Sequence, residues 1–189
     1  GQMTVGNGGF SVDTLRVGEN GTSNSSLTVG TGAVSVGNGT ETLEIGNRDT
    51  NLNTGTTSTV DFSAASGVTI NVANTVMGTI VGNPGGSGNT HGVLTLSDAG
   101  TNDFTSTTML IGDSPVAGNE NNGGNNRTQV ITDIQFGGGT NNLNVDTLTL
   151  GGQKSQGKIT LDAGGTLNLT GATGAAANAN LGFNVTGNT

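Results

Sequence analysis

The stretch Lys158-Ile-Thr-Leu-Asp-Ala-Gly-Gly-Thr-Leu-Asn-Leu-Thr-Gly171 decides the fold, because it contains one small unit twice. Each copy places a polar residue between two apolar residues: Ile159-Thr160-Leu161 and then Leu167-Asn168-Leu169. In a β-strand, this alternation puts the two aliphatic side chains on one face and the polar side chain on the other. Asp162, Gly164 and Gly165, which are typical turn residues, separate the copies. The stretch therefore predicts two short strands joined by a turn.

The same unit recurs along the chain. Met3-Thr4-Val5, Leu15-Arg16-Val17 and Leu27-Thr28-Val29 begin twelve residues apart, and a Gly directly follows each of them. Because glycine adopts positive φ without a steric penalty, a Gly in this position predicts a corner of the backbone. Further units are Val34-Ser35-Val36, Leu43-Glu44-Ile45, Val60-Asp61-Phe62, Val68-Thr69-Ile70-Asn71-Val72, Ile80-Val81, Leu94-Thr95-Leu96, Met109-Leu110-Ile111, residues 130–136, Leu143-Asn144-Val145, Leu148-Thr149-Leu150 and residues 181–185.

The composition indicates an ordered β protein with a thin core. The chain of 189 residues has 36 Gly, no Trp, no Tyr, no Cys, and a hydrophobic fraction of only 30%. Disordered chains also have few apolar residues, but they are usually rich in charge and in Pro. Here charged residues make up 10% and there are 2 Pro. We expect one domain over residues 1–189, with loop insertions near 82–92, 113–128 and 171–180.

A right-handed parallel β-solenoid fits this pattern better than two other β architectures. An immunoglobulin-type sandwich needs longer strands and usually a buried Trp or Tyr, and a membrane barrel needs segments of about ten alternating residues. The pairs Asn7-Gly8, Asn20-Gly21 and Asn38-Gly39 leave antiparallel hairpins open as an alternative. Two or three strands per coil predict about six to nine rungs. We expect inward stacks of Val5, Val17, Val29, Val36, Ile45, Leu150, Leu161 and Leu169.

The charge and the hydropathy of the chain each disfavour one class of partner. The net charge is −8, and the five basic residues do not cluster in the sequence. Nucleic-acid binding needs clustered Lys and Arg, so we expect no nucleic-acid partner. No run approaches the ~20 apolar residues of a membrane-spanning helix, so we expect no membrane insertion. The chain begins at Gly1 without a visible signal peptide, which predicts a mature chain or a fragment.

With these units in view, the chain resembles the β-strand-repeat surface proteins of bacteria, which include autotransporter-type passengers and long repetitive adhesins. The resemblance is clearest in Leu27-Thr-Val-Gly-Thr-Gly-Ala-Val-Ser-Val-Gly37 and in Lys158-Ile-Thr-Leu-Asp-Ala-Gly-Gly-Thr-Leu-Asn-Leu-Thr-Gly171. It implies a secreted, extended protein at the bacterial cell surface with a structural or adhesive role. It transfers no active-site residue to this chain.

The candidate chemical sites all have a simpler structural explanation. Glu41 with Glu44, and Asp98 with Asp103, are the nearest acidic neighbours, and a glycosidase would need such a pair in a cleft. Glu44 lies between two inward residues, so we expect it to face solvent. His91, the only histidine, falls in a Gly-rich stretch that predicts a loop. We therefore assign no catalytic, cofactor-binding or metal-binding residue, and we expect no enzymatic activity.

Three weaker surface hypotheses remain. Oxygen ligands in one loop could bind calcium, namely Asp113, Asn119, Glu120 and Asn121. Outward threonines could form the flat ladder of an ice-binding solenoid, although Arg16, Glu44 and Asp61 would interrupt it. These threonines are Thr4, Thr28, Thr69, Thr95, Thr149 and Thr160. Six Asn-x-Ser/Thr triplets begin at Asn20, Asn24, Asn38, Asn126, Asn168 and Asn184.

The assembly prediction follows from strand edges at both ends of a solenoid. Units of strand character, Met3-Thr4-Val5 and Phe183-Asn184-Val185, lie near the two chain ends, and neither is charged. Uncapped ends either continue into further repeats or stack on identical subunits. We therefore predict an extracellular structural protein that self-associates end to end into a surface fibre. The alternative is an adhesin fragment that binds a surface or a glycan, ahead of an ice-binding or polysaccharide-active solenoid.

Overall fold

The computed structural model describes residues 1–20, 23–47, 56–79, 90–113, 131–152 and 156–182. In these ranges the chain is all-β and contains no helix. The strands are β1 (Gln2–Val5), β2 (Phe10–Val12), β3 (Arg16–Val17), β4 (Ser25–Val29), β5 (Val34–Val36), β6 (Thr42–Ile45), β7 (Thr56–Asp61), β8 (Val68–Met77), β9 (Thr90–Thr95), β10 (Asn102–Asp113), β11 (Thr132–Phe136), β12 (Thr140–Gly152), β13 (Gly157–Leu161), β14 (Thr166–Thr170) and β15 (Asn178–Leu181).

The strands form two parallel sheets. The first sheet has six strands in the order β1-β4-β7-β9-β11-β13. The second sheet has nine strands, six of which follow the order β14-β12-β10-β8-β5-β2. Of the other three, β15 pairs with β12, β6 pairs with β8, and β3 pairs with β6. Each strand pairing among the described residues is parallel. The prediction of an all-β chain with parallel strands is therefore confirmed.

The described part of the chain visits the two sheets in strict alternation and therefore forms six repeats. Each repeat is one strand of the first sheet followed by the next strand or strands of the second: β1–β3, β4–β6, β7–β8, β9–β10, β11–β12 and β13–β15. Each repeat lies beside the previous one in both sheets. Six is the lower end of the predicted range of rungs.

The antiparallel alternative is wrong for the described residues. Asn7-Gly8 joins β1 to β2, which belong to different sheets. Asn38-Gly39 joins β5 to β6, and both of these strands pair with β8 in parallel. Gly21 lies outside the described residues, so the third Asn-Gly pair is not described in full. Neither described pair closes a hairpin.

The register explains the twelve-residue spacing at the start of the chain. Met3 pairs with Leu27, 24 residues later. Leu15 lies between them in sequence, but it directly precedes β3 of the second sheet. The spacing of twelve is therefore half of the first repeat. Later repeats are longer, and Leu94 and Ile134, 40 residues apart, are partners.

The core lies between the sheets and consists of inward side chains in register. Leu27, Val60, Leu94 and Ile134 form one such column, and none is more than 3% exposed. Large aromatic side chains, Phe62, Phe104 and Phe136, are also fully buried, so the stacks are not purely aliphatic. Full burial of a large apolar side chain stabilises a fold by roughly 1.5–3 kcal/mol.

The predicted inward residues are buried only where a neighbouring repeat covers them. Val17, Val29, Val36 and Ile45 are buried, and Val5 and Leu150 are partly buried at the edge of the core. Leu161 and Leu169 pair in register with Phe136 and Leu143 and so continue their inward columns, but they are 38% and 45% exposed. Both lie in the last of the repeats, where no strand that the structure describes packs on their open side.

Six glycines at equivalent corners close the repeats. Gly18, Gly46, Gly78, Gly112, Gly151 and Gly182 each follow the last apolar residue of a strand in the second sheet, and each has a φ between 56° and 73°. The predicted corners at Gly18, Gly37 and Gly46 have positive φ, as expected. Gly6 and Gly30 also follow a strand, but their φ is not positive, so in those two turns glycine is not required for its left-handed conformation.

Several predicted boundaries are wrong. The two units that begin at Leu143 and Leu148 merge into β12, which has 13 residues. The single units at Val68 and Met109 are only parts of β8 and β10, which have 10 and 12 residues. The predicted insertion at 171–180 ends in strand β15, and the one at 82–92 ends in the first residues of β9. Ile80-Val81, residues 82–89 and 114–128, and the predicted strand at 183–185 lie outside the described residues.

Candidate functional site

The predicted acidic pair Glu41 and Glu44 is engaged by neighbouring side chains. Glu44 is only 8% exposed, which corrects the expectation that it faces solvent. Its carboxylate accepts from Arg16 Nε at 3.3 Å and from Asn47 Nδ2 at 3.0 Å, and these two side chains cover it. Glu41 accepts from the hydroxyls of Thr14 and Thr40, both at 3.3 Å. Both carboxylates therefore connect neighbouring segments.

The second predicted pair is divided between a turn and a strand. Asp98 is exposed in the turn before β10, and its backbone N–H donates to the carbonyl of Ser63 in the previous repeat. Asp103 lies on β10 and accepts from Asn142 Nδ2 at 2.6 Å. Asp103 therefore belongs to a ladder of polar side chains.

The most enclosed acidic side chain was not predicted. Asp133 on β11 is 3% exposed and faces away from the core. It accepts from Lys158 Nζ at 3.2 Å, from Gln135 Nε2 at 2.9 Å and from the hydroxyl of Thr160 at 3.1 Å. Lys158 is its register partner on β13. Only the register brings these residues together, so the sequence alone carries no signal for this cluster.

His91 lies in a strand, which corrects its predicted place in a loop. It is the second residue of β9 and pairs with Thr57. It is half-buried, and burial lowers the pKa of its imidazole below the ordinary value of 6.5. The ring is therefore neutral at neutral pH. Within the described ranges, no three residues among His, Asp and Glu lie close enough together to bind a metal ion.

The predicted calcium loop lies almost wholly outside the described residues. Asp113 is the last residue of β10. Asn119, Glu120 and Asn121 fall in the segment that the structure does not describe. The calcium hypothesis for this loop therefore stays a prediction from the sequence.

The predicted threonine ladder is divided among three columns. Thr4, Thr28, Thr95 and Thr160 share one outward column of the first sheet, but Asp61 and Gln135 occupy the places between them. Thr69 and Thr149 belong to two other columns, both in the second sheet. Thr149 is only 8% exposed. The threonines therefore do not form one continuous flat array.

Polar side chains of the second sheet do form ladders between repeats. Asn168 Nδ2 donates to Asn142 Oδ1 at 2.9 Å, and Asn142 Nδ2 in turn donates to Asp103. In the next column, Thr170 donates to Asn144 Oδ1 at 2.5 Å, and Asn144 donates to Thr105 at 3.3 Å. These ladders tie the last three repeats together on the outer surface.

A second ladder is buried inside the core. Asn102 and Asn141 are fully buried register partners, and Asn102 Nδ2 donates to Asn141 Oδ1 at 2.7 Å. Asn141 Nδ2 also donates to the carbonyls of Gly137 and Gly139, at 3.0 and 3.1 Å. The pair therefore satisfies turn carbonyls that the core would otherwise leave without partners.

Both ends of the stack expose apolar surface. At the first repeat, a depression of about 470 Å³ is lined by Met3, Phe10 and Leu15, and Met3 is 56% exposed. At the last repeat, a depression of about 490 Å³ is lined by Leu150, Ile159 and Leu181, and Leu181 is 70% exposed. Of the five large hydrophobic residues that are exposed in the described ranges, four lie in these two repeats: Met3, Leu161, Leu169 and Leu181.

The same two ends carry unpaired strand edges. Among the described strands, β1 has only β4 as its neighbour in the first sheet and β13 has only β11, so the other side of each has no described partner. Such edges present unpaired N–H and C=O groups that can pair with another strand. Apolar columns beside an open edge are therefore the clearest candidate interaction surface of this molecule.

Comparison of the chain with protein-family models, with curated proteins and with solved structures finds no match. The resemblance to bacterial β-strand-repeat surface proteins therefore rests on the sequence pattern alone. The described residues contain no helix with the length and hydropathy needed to cross a membrane.

Proposed function

We propose that the two sheets are faces of one right-handed parallel β-solenoid. The support is the path of the chain, which alternates between the sheets and always returns beside the strand that it left one repeat earlier. A chain that does so five times in the same direction, over six repeats, winds as a coil. Right-handedness follows from the strong preference for right-handed crossover connections between parallel strands, which holds in about 98% of cases.

The function that we propose is structural: the solenoid is the subunit of an extracellular fibre at the bacterial cell surface and stacks end to end. The observation that carries this proposal is the exposed apolar surface, with open strand edges, at both the first and the last repeat. Stacking of one end on the other is a heterologous contact, and it generates a filament when its rotation does not close. The net charge of −8 would keep neighbouring fibres apart.

The proposal assigns no catalytic role to the chain. What supports a non-catalytic role is that the two enclosed carboxylates, Glu44 and Asp133, bind other side chains of the fold. Each accepts a charged hydrogen bond from a basic side chain and further bonds from amides or hydroxyls. The oxygens of a carboxylate held in this way are occupied by donors of its own fold, which is a structural use of the group.

A second candidate function is adhesion to a glycan or another polar surface. The observation that favours it is the outer face of the second sheet, where exposed polar side chains recur at about the 4.8 Å spacing of neighbouring strands. The group comprises Thr69, Asn71, Asp103, Asn168 and Thr170. Regularly spaced amides and hydroxyls suit hydrogen bonding to sugars. Ice binding receives less support, because Asp61 and Gln135 interrupt the main threonine column.

Sedimentation velocity and negative-stain electron microscopy of the isolated chain test the proposed fibre. We expect elongated particles whose length grows with concentration. Leu169→Asp places a charge on the apolar last repeat and should abolish growth, whereas Thr69→Asp, on an exposed outward position within the stack, should leave it intact. A monodisperse monomer at high concentration would overturn the fibre, and a glycan-array screen of that monomer would then test adhesion.

A further inference from the structure

We propose, on the basis of the proposed end-to-end stacking, that the junction between two copies is in register. β13, β14 and β15 of one copy would then pair in parallel with β1, β2 and β3 of the next copy, so that each column of side chains continues through the junction. The two ends of one copy are the two surfaces that meet, and the partner is therefore a second copy of this chain in the same orientation.

The first sheet offers matching columns at its two edges. In the inward column, Met3 leads through Leu27, Val60, Leu94 and Ile134 to Ile159. The outward column beside it begins at Thr4 and ends at Thr160. Continuation in register would therefore place Ile159 on Met3 and Thr160 on Thr4 of the next copy. Each contact repeats the polarity of the contacts within the stack.

The second sheet offers the same match. β14 presents Leu167, Asn168 and Leu169, and β2 presents Phe10, Ser11 and Val12, with the same alternation of apolar and polar residues. The column of Val12 runs through Val36, Ile70, Phe104 and Leu143 to Leu169, so Leu169 and Val12 are its two open ends. On β15 and β3, Leu181 likewise ends the column that begins at Val17.

The alternation also excludes neighbouring registers. A slip by one residue would place Thr160 on an apolar position of β1 and Asn168 on an apolar position of β2. Because the side-chain period of a strand is two, such a slip moves every apolar side chain to the wrong face. The in-register junction, unlike a slip by one residue, therefore keeps Met3, Leu161, Leu169 and Leu181 on the core side, and the cross-linking control below tests a slip by two.

The corner loop of the last repeat leaves this surface open. Residues 171–177 separate β14 from β15, and a loop of this length could cover the end of the stack. Thr173 instead donates from its backbone N–H and its hydroxyl to Asp146 Oδ1, both at 3.0 Å. Asp146 belongs to β12 of the preceding repeat. The loop is therefore tied back towards the previous repeat.

Cysteine cross-linking reports the register directly, because the chain contains no natural Cys. The double variants Thr4→Cys with Thr160→Cys, and Ser11→Cys with Asn168→Cys, place one thiol on each end. In register, the two Cα atoms would be about 4.8 Å apart, within the ~4.4–6.8 Å range of a disulfide. The control Gln2→Cys with Thr160→Cys is two residues out of register, at about 8 Å.

Under mild oxidation, we expect both in-register variants to give a ladder of covalent dimers, trimers and larger species on a non-reducing gel. The control variant should remain monomeric, and each single-cysteine variant should give no ladder. A ladder from Gln2→Cys with Thr160→Cys, or efficient dimers from Thr160→Cys alone, would overturn the in-register junction. So would the absence of cross-links from both in-register variants while electron microscopy shows fibres. Absence of fibres in the wild-type chain would instead overturn the proposed function.

Discussion

At the scale of single residues, the glycine corners are the feature that the sequence predicts best. A Gly after an apolar residue is visible in the sequence, and such a Gly has positive φ at positions 18, 37 and 46, although not at positions 6 and 30. The close packing at these corners is not visible, because it joins segments that are far apart in the chain. At Gly112, for example, an added Cβ would overlap the carbonyl oxygen of Gln156, which precedes β13.

Gly112→Ala should therefore destabilise the fold more than Gly164→Ala. Both glycines have positive φ, at 61° and 87°, so each substitution costs about 1–2 kcal/mol in backbone strain. The Cβ at position 164 meets nothing within 4 Å, whereas overpacking at position 112 adds about 1–3 kcal/mol. Urea denaturation of the two variants measures the difference. Equal losses of stability would show that the corner at Gly112 has room to relax.

The buried asparagine pair gives a second prediction at this scale. Asn141→Ala removes the amide that satisfies Asn102 and the turn carbonyls of Gly137 and Gly139, so we expect a loss of roughly 2–4 kcal/mol. Asn71→Ala changes an exposed asparagine of β8 and should stay within about 0.5 kcal/mol of the wild type. The same denaturation assay compares them. A small effect at both positions would mean that water replaces the buried amide.

At the scale of elements, the sequence predicts strands but not their bounds. Apolar–polar alternation located most of the short units, yet it did not reveal that two of them join in β12 or that single units extend into the long strands β8 and β10. Polar residues such as Asn74 and Thr108 separate the units in sequence, and they still pair with each other in register. His91 was assigned to a loop because glycines surround it, whereas its pairing with β7 makes it part of a strand.

The stability of the fold should fall as His91 becomes protonated. Burial lowers its pKa in the folded state below the value of 6.5 in the unfolded chain, so the unfolded state binds more protons in that window. Stability contributed by the neutral ring is present above pH 6.5 and decreases as the pH falls below it. As the pH falls from about 7.5 to 5.5, the unfolding free energy of the wild type should therefore decrease relative to that of His91→Gln. A constant difference over this range would contradict the prediction.

At the scale of the whole molecule, the all-β class and the parallel pairing could be predicted, and the exposed ends could not be located. Thin apolar units, short turns and the lack of Trp and Tyr favoured stacked repeats over a sandwich. Which residues are uncovered depends on the order of the strands, so Leu161 and Leu169 were expected in the core although they lie on the open last repeat. The Asp133 cluster was missed for the same reason, since register alone joins it to Lys158.

Helical reconstruction of the assembled chain by cryo-electron microscopy tests the central claim most directly. Each copy contributes six strands to the first sheet. With neighbouring strands about 4.8 Å apart, an in-register stack should rise by about 29 Å per subunit, with strand spacing unbroken across each junction. A right-handed coil should be visible within each subunit. Particles that remain single subunits, or filaments with a larger rise and a gap between copies, would contradict the claim that the solenoid continues from one molecule into the next.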